Sequence, residues 1–360
     1  MRIGTLFSGI GSPEQGASRV YDDLELVFAC EWDKYARESF NANYQIDKKH
    51  FHKDIADMDG KQYKDKIDIL IGGSPCQDFS LAGLRKGIDG NNGILIYEYI
   101  RIIEETQPPI FIYENVKGML SDKKGKTIKD FVQAFREMSY HCHYEVLNTK
   151  DYGVPQNRER IFLVGFKSVD HYHNFSFAPK IKLVKRLKDV LESDIDEKYY
   201  LSENQYESLI SAKYESMGID RVNSEDDACN CLTTMTGGNR EPKIFVKQGT
   251  KKGFDIAGPG DSINMSFPSS LTRRGRVGKQ VSQTLDCACS IATVDQDRIR
   301  KLTPRECFRL QDFPDTFKQV VSNSQAYKQA GNSISVNVME MIFKQIELSR
   351  NGNTNQGSLF

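Results

Sequence analysis

Two residues of this chain have the chemistry and the setting for a covalent reaction on a heteroaromatic ring. Cys76 closes the string Ile69-Leu70-Ile71-Gly72-Gly73-Ser74-Pro75-Cys76-Gln77, where a short apolar run is stopped abruptly by glycine and proline. Glu114 follows a second apolar run, Pro109–Tyr113. Both read as residues at the ends of buried strands, the rim where α/β sheets hold their ligands. A thiolate adding at C6 of a cytosine turns C5 into an enamine carbon that can attack a methyl sulfonium. Loss of the C5 proton then expels the thiolate. A free cysteine has a pKa of about 8.5, so such a site must favour the thiolate. Addition also needs a proton or strong hydrogen bond at the ring N3, and Glu114 is the candidate acid. A buried, inert cysteine is the alternative, and the polar neighbours Ser74, Pro75, Gln77 and Asp78 argue against it. In Gln156-Asn157-Arg158-Glu159-Arg160 the two arginines are candidates to bond a base carbonyl oxygen or phosphates. A surface ion-pair cluster is the competing reading.

A second group of residues points to an adenosine cofactor. The first strand runs into Phe7-Ser8-Gly9-Ile10-Gly11-Ser12, a strand-to-helix turn in which glycines let the backbone approach a ligand. Glu31 ends the second strand about twenty residues on, the place of a ribose-binding acid. Trp32, the sole tryptophan, is set to lie against an adenine, and Asp54-Ile55 ends the third strand, where an acid can accept a bond from an adenine amino group. A nicotinamide dinucleotide and S-adenosylmethionine both fit these residues. Cys76 separates them, because hydride transfer has no use for a thiol there.

The elements that must position these residues alternate. Strands are expected at Arg2–Phe7, Leu24–Cys30, Phe51–Asp54, Ile67–Ile71, Pro109–Tyr113, Tyr144–Leu147 and Arg160–Phe166. Helices are expected at Pro13–Val20, Lys34–Asn43, Leu95–Glu105 and Ile128–Met138. This is a doubly wound α/β pattern. Ser12 is expected to cap the first helix, with Pro13 at its first position and Gln15 completing a capping box. Residues 168–295 break the pattern with short segments rich in Gly, Pro, Ser and Thr. There Cys229–Thr234 and Thr284–Cys289 look like a duplicated hairpin. Order returns near Arg300, and Val336–Leu348 reads as an amphipathic helix.

Charge cancels over the whole chain, 49 basic against 49 acidic residues, but not locally. Between Arg240 and Lys279 nine Lys/Arg stand against three Asp/Glu. That surplus marks a basic face suited to a polyanion. The eight cysteines have no regular spacing, which points to a reduced, cytoplasmic protein. No apolar run has the length of a membrane span. The His-x-His pairs (His50/His52, His141/His143, His171/His173) and the Cys-x-Cys pairs lack zinc spacing, so no metal is expected.

Taken in order, these segments resemble the DNA (cytosine-5) methyltransferase family. The matching pieces are Phe7–Gly11, Glu31-Trp32-Asp33, Asp54-Ile55, Gly73–Gln77, Glu114-Asn115-Val116, Gln156–Arg160, Arg300–Glu306 and Gly331-Asn332-Ser333. The resemblance implies a Rossmann-like, S-adenosylmethionine-dependent methyltransferase domain of residues 1–167 and 296–360, with a small target-recognition domain, 168–295, inserted. Cys76 would be the nucleophile, with Glu114 at N3 and Arg160, beside Arg158, near O2 of a cytosine flipped out of duplex DNA. Phe7, Ser8, Gly9, Ile10, Gly11, Glu31, Trp32, Asp54, Ile55, Pro75, Leu95, Asn332 and Ser333 would line the cofactor site, which releases S-adenosylhomocysteine. Residues 77–93 would form a hinged lid bringing Gln77, Ser80, Arg85 and Lys86 to DNA. Thr284-Leu285, better than Leu232-Thr233, fits the family's recognition pair, with Arg273, Arg274 and Arg276 to read base edges. A monomer suffices for this chemistry, and any cognate restriction endonuclease would act separately.

Three departures stand out. Asn91-Asn92 replaces a common arginine, Ser12-Pro13 a glycine-rich continuation, and Asp78 a smaller residue. An RNA cytosine-5 methyltransferase of the same fold and a non-catalytic DNA-binding relative are the competing readings. The large recognition region and the Pro-Cys-Gln context favour DNA, and intact Cys76, Glu114 and Arg160 favour catalysis. A nicotinamide oxidoreductase would leave Cys76 and the basic region unexplained.

Overall fold

In the computed structural model, residues 1–75, 94–121, 125–209, 244–295 and 298–352 are described. Strands and helices alternate through the first half: β1 (Arg2–Leu6), α1 (Ser12–Ser18), β2 (Glu25–Cys30), α2 (Lys34–Asn43), β3 (Phe51–His52), β4 (Ile69–Gly72), α3 (Ile94–Thr106), β5 (Ile110–Val116), α4 (Lys126–Glu137), β6 (His141–Asn148), β7 (Gln156–Asn157), β8 (Glu159–Phe166) and α5 (Val169–Asn174). Seven of these strands form one sheet in the order β3-β2-β1-β4-β5-β8-β6. The pairs from β3 to β5 are parallel, and β8 runs antiparallel between β5 and β6.

The alternation of side chains builds the two faces. Leu70, Phe111 and Tyr113 pack on one side with Tyr99, Phe131 and Phe135 of α3 and α4. Ile69, Ile71, Ile110 and Ile112 point to the other side, against Val338, Met339 and Ile342 near the C-terminus. A sheet covered on both faces needs apolar residues at every position, which is why β4 reads as a continuous apolar run. Chain order reverses at β1, whose neighbours are β2 and β4. Open α/β sheets bind ligands at the carboxyl ends of strands at such a point.

The second half adds α6 (Glu203–Leu209), β9 (Ile244–Lys247), β10 (Phe254–Ala257), β11 (Ser262–Asn264), β12 (Val277–Gly278), β13 (Ser282–Gln283), β14 (Ile291–Asp295), β15 (Arg298–Lys301), α7 (Pro304–Leu310), α8 (Asn323–Asn332) and α9 (Val336–Arg350). An antiparallel sheet β12-β11-β14-β15 and the hairpin β9-β10 share a small core of Ile244, Val246, Ile263, Ala292, Val294 and Ile299. This sheet continues to Lys301, past residue 295 where the inserted domain was expected to end. β13 pairs with β7 in a separate two-stranded ladder, which ties this half of the chain to the segment leading into β8. α9 returns to pack on α1 beside β1, as its amphipathic pattern requires. Thr303 caps α7 in a reciprocal box with Glu306.

Two local expectations are corrected. The first helix is not capped by Ser12: it begins at Ser12 itself, with Gly11 at the N-cap in the left-handed conformation (φ 94°) and no side-chain cap. A Cβ on Gly11 would lie 2.1 Å from the Tyr44 ring, so both space and backbone demand glycine. Thr284–Cys289 is not a hairpin strand, and the strand before it stops at Gln283. Its supposed partner, residues 229–234, lies outside the described residues.

Candidate active site and cofactor cleft

The candidate site residues follow β1, β2, β4 and β5, strands that neighbour one another in the sheet. The turn after β4 is held from beneath. Ser74 Oγ lies 2.7 Å from the Tyr113 hydroxyl, and Asn115 Nδ2 donates both to Ser74 O and to that hydroxyl. Gly72 is paired with Tyr113, so the chain leaves β4 alongside the end of β5. Gly73 then passes against the acid: a Cβ there would sit 2.9 Å from both Glu114 O and Glu114 Oε2. Only glycine lets this turn approach the carboxyl so closely. Pro75 is exposed at the turn's end, and Cys76, Gln77, Ser80, Arg85 and Lys86 lie outside the described residues.

Glu114 faces arginine on its other side. Arg160 Nε stands 3.3 Å from Glu114 Oε1, with both side chains largely buried. Burial pushes the Glu114 carboxyl above the ordinary range, and Arg160 and Arg158 oppose that shift. A proton is therefore held more tightly than on an exposed glutamate. Arg158, expected to reach the base or phosphates, is instead buried, and its guanidinium donates to the carbonyls of Leu285, Gly331 and Ser333. Burial and Arg160 pull its pKa down. Arg158 thus ties together three chain segments that meet at the cleft.

At the carboxyl end of β1, Phe7 and Gly9 both have positive φ, and a Cβ on Gly9 would meet nothing within 4 Å. That open concavity is bordered by Glu31. Its Oε2 accepts from Gly9 N and its Oε1 from Asp33 N, each at 2.8 Å. Asp33 caps α2 and pairs with Lys328 of α8 at 2.7 Å. Trp32 is 63% exposed beside this loop, a large aromatic left to solvent, with Lys53 Nζ 4.8 Å over its ring. Asp54 Oδ1 accepts from Ala56 N, Ile55 is buried, and Leu95 packs on the same core. Ile10 is buried against α7 and α8. Asn332 is exposed at the end of α8 and accepts from Cys287 Sγ at 2.9 Å, while Ser333 is buried.

Sequence reasoning missed what supports the β1 loop. Cys30 N donates to Ser8 Oγ, which lies 2.8 Å from Thr5 Oγ1, and Thr5 Oγ1 donates to Glu14 Oε1 at 2.6 Å. Thr5, Ser8 and Glu14 are all buried, and Glu14 Oε2 has no partner among the described residues. Burial pushes the Glu14 carboxyl from 4.5 up to about 7. Unfolding would release that proton near 4.5, so raising the pH from 4.5 to 7 removes stability. The loss amounts to about 3 kcal/mol at pH 7 and stays constant above. Glu14→Gln, neutral at every pH, is expected to remove this loss. Its melting temperature should change less than the wild type's between about pH 5 and pH 8, and parallel curves for the two proteins would contradict the assignment.

Three of the expected DNA-reading residues are placed otherwise. Arg276 is 1% exposed and donates to the carbonyls of Asn264, Ser266, Phe267 and Pro268, so it does not reach base edges. Leu285 is buried in the core shared with α7 and α8. Thr284 Oγ1 donates to Asn157 O, fastening this segment to β7. Arg273 is half-buried and Arg274 exposed. Of the histidine pairs, His50 Nδ1 and His52 Nε2 bond the Tyr63 hydroxyl at 2.9 and 2.7 Å.

Comparison with known proteins identifies the family. The model of the C-5 cytosine-specific DNA methylase family matches residues 1–348. The orphan methyltransferase M.SPRI of Bacillus phage SPR is 34% identical, covering 96% of this chain and 97% of its own. The type II methyltransferase M.SsoII of Shigella sonnei is 35% identical over 96% of this chain and 79% of its own. Two solved structures share the fold. A putative DNA modification methyltransferase from an E. coli prophage has a TM-score of 0.61 at 23% identity, covering 98% of this chain and 99% of its own. The Dnmt2 methyltransferase of S. pombe has a TM-score of 0.63 at 18% identity, with the same coverage. With a family match along nearly its whole length, and relatives above 30% identity over almost all of it, the chain belongs to the C-5 cytosine-specific DNA methylase family.

Proposed function

We propose that this DNA cytosine-5-methyltransferase works through a covalent Cys76 adduct on a cytosine flipped out of a specific duplex sequence. The observation that carries the reading is the contact of the Gly73 turn with Glu114: Gly73, three residues before Cys76, passes against the carboxyl that must act on the same base, and Asn115 beside that acid holds Ser74. In the reaction the Cys76 thiolate forms a bond to C6, and the ring's electrons move toward C5 and N3. Glu114 holds a proton at N3, so this charge is not left on the ring. Arg160 keeps Glu114 in place and is set to bond O2 of the base. After methylation the C5 proton leaves, C5 and C6 regain their double bond and Cys76 departs as thiolate. Extrusion of the base costs a few kcal/mol, offset by contacts to the flanking DNA.

The residues fit S-adenosylmethionine: an open glycine loop, a carboxylate bonded to that loop at the end of the second strand, and an unpacked tryptophan. Phe7–Gly11, Glu31, Trp32, Asp54, Ile55, Pro75, Leu95, Asn332 and Ser333 would hold it. When bound, the cofactor supplies an electrophilic methyl group on a sulfonium. Glu31, each oxygen accepting one backbone N–H, keeps a second lone pair on each for the ribose hydroxyls. Trp32 is the chain's single tryptophan, so its emission is expected to shift or quench on titration with S-adenosylmethionine. An unchanged spectrum at saturation would remove Trp32 from the adenine site.

The test of the function is label transfer. Protein with methyl-labelled S-adenosylmethionine and mixed-sequence duplex DNA should yield labelled 5-methyldeoxycytidine after nuclease digestion, and tRNA should stay unlabelled. Label on tRNA alone, or on an exocyclic nitrogen, would overturn the reading.

A further inference from the structure

The loop between β11 and β12 is built around an arginine and turns its apolar residues outward. Arg276, 1% exposed, bonds four carbonyls along residues 264–268 and so fixes the loop's path. The turn of the β9-β10 hairpin braces it: Gln248 Oε1 accepts from Gly275 N and Arg276 N, and Arg274 Nε donates to Gly249 O. On this fixed scaffold Leu271 is 91% exposed and Phe267 is 73% exposed with φ 51°. Leaving a Leu or Phe side chain in water forgoes the stabilisation that burial would give, and a non-glycine residue at positive φ adds strain. A loop held in shape while showing such residues is suited to contact something.

The surroundings say what. Arg273 and Arg274 are on the loop, and Lys251 and Lys252 are exposed on the bracing hairpin turn. A relay of contacts also links the loop to the candidate site. Ser266 Oγ donates to Asp286 Oδ2, Asp286 follows Leu285, whose carbonyl takes Arg158, and Arg160 pairs with Glu114. Apolar tips among cations, on a loop linked to the candidate site, fit a polyanion with apolar edges in its grooves. We propose that residues 265–275 enter a groove of the DNA duplex, with Phe267 and Leu271 making apolar contacts to base edges while Arg273 and Arg274 bond the phosphates. Sequence selection would then rest on these two apolar residues rather than on Arg276.

This inference rests on the proposed DNA substrate, and the test separates the two. The full-length Leu271→Asp and Phe267→Ala variants would be compared with wild type on the duplex that wild type methylates. Val184→Asp, altering an equally exposed residue (78%) outside this loop, serves as control. Expected is a fall of about tenfold or more in kcat/KM for DNA in both loop variants, with altered preference among sequences. Cofactor binding by Trp32 emission and melting temperature should be unchanged, and Val184→Asp should behave as wild type. Loop variants that match wild type in kcat/KM and in the sequence methylated would overturn this inference and leave the enzyme's function standing. A wild-type protein that neither binds nor methylates any duplex would overturn both.

Discussion

Cys76→Ala is expected to abolish methyl transfer to DNA, a loss of more than about 10⁴-fold, while S-adenosylmethionine still binds. The neutral cytosine ring offers no electron pair at C5 that can displace a methyl group from sulfur. The thiolate creates that pair by bonding to C6, and alanine offers no substitute. The rest of the machinery would remain intact. The loop of Phe7–Gly11 is held by Glu31 and by the Ser8–Thr5–Glu14 chain, none of which involves residue 76. A Trp32 titration and a label-transfer assay on the same preparation therefore separate the two functions. Undiminished turnover in the variant would overturn nucleophilic catalysis by Cys76.

Glu114→Gln is expected to lower kcat by about 10²–10⁴-fold. The amide keeps the shape and can keep one bond to Arg160, but it has no proton to give to N3. Cofactor affinity should hold, because the loss falls on the chemical step. The pH profile gives a second readout. Burial raises the Glu114 carboxyl, so the wild type should keep its acid protonated to higher pH than an exposed glutamate and then lose activity as pH rises through that pKa. The variant should lack this alkaline limb. A Glu114→Gln enzyme with wild-type kcat would remove the carboxyl from the reaction.

The catalytic sheet was legible because its signals are local. Ile69, Leu70 and Ile71 are buried on alternating faces, and the glycines and proline after them mark the strand end whatever lies elsewhere. Glu31, Trp32 and Glu114 follow from the same punctuation. The misplaced residues depend on distant partners. A positive charge at 158 or 276 reads alike whether it meets phosphate or carbonyls. Only the meeting of Arg158 with Leu285 and Gly331, each more than a hundred residues away, decides it. The motif position of Leu285 points to DNA, yet the core of α7 and α8 encloses it. The helix cap failed for a different reason. Ser12 has the right chemistry, but the left-handed Gly11 already turns the chain, and the side chain is left one position inside. The strands of the small domain span two to five residues each, too short for periodicity to show. Glu14 carried no sequence signal, since an acid in the first turn of a helix is ordinarily a solvated one.

Covalent trapping tests the central claim most directly. Wild-type protein and S-adenosylmethionine would be incubated with duplex DNA containing 5-fluorocytosine and run on a denaturing gel. Fluorine cannot leave C5 as a cation, so the thiolate cannot be expelled after methylation. The account predicts a protein–DNA band that survives denaturation, requires the cofactor and is absent from Cys76→Ala. Methylation of ordinary cytosine without such a band, or the same band from Cys76→Ala, would contradict it.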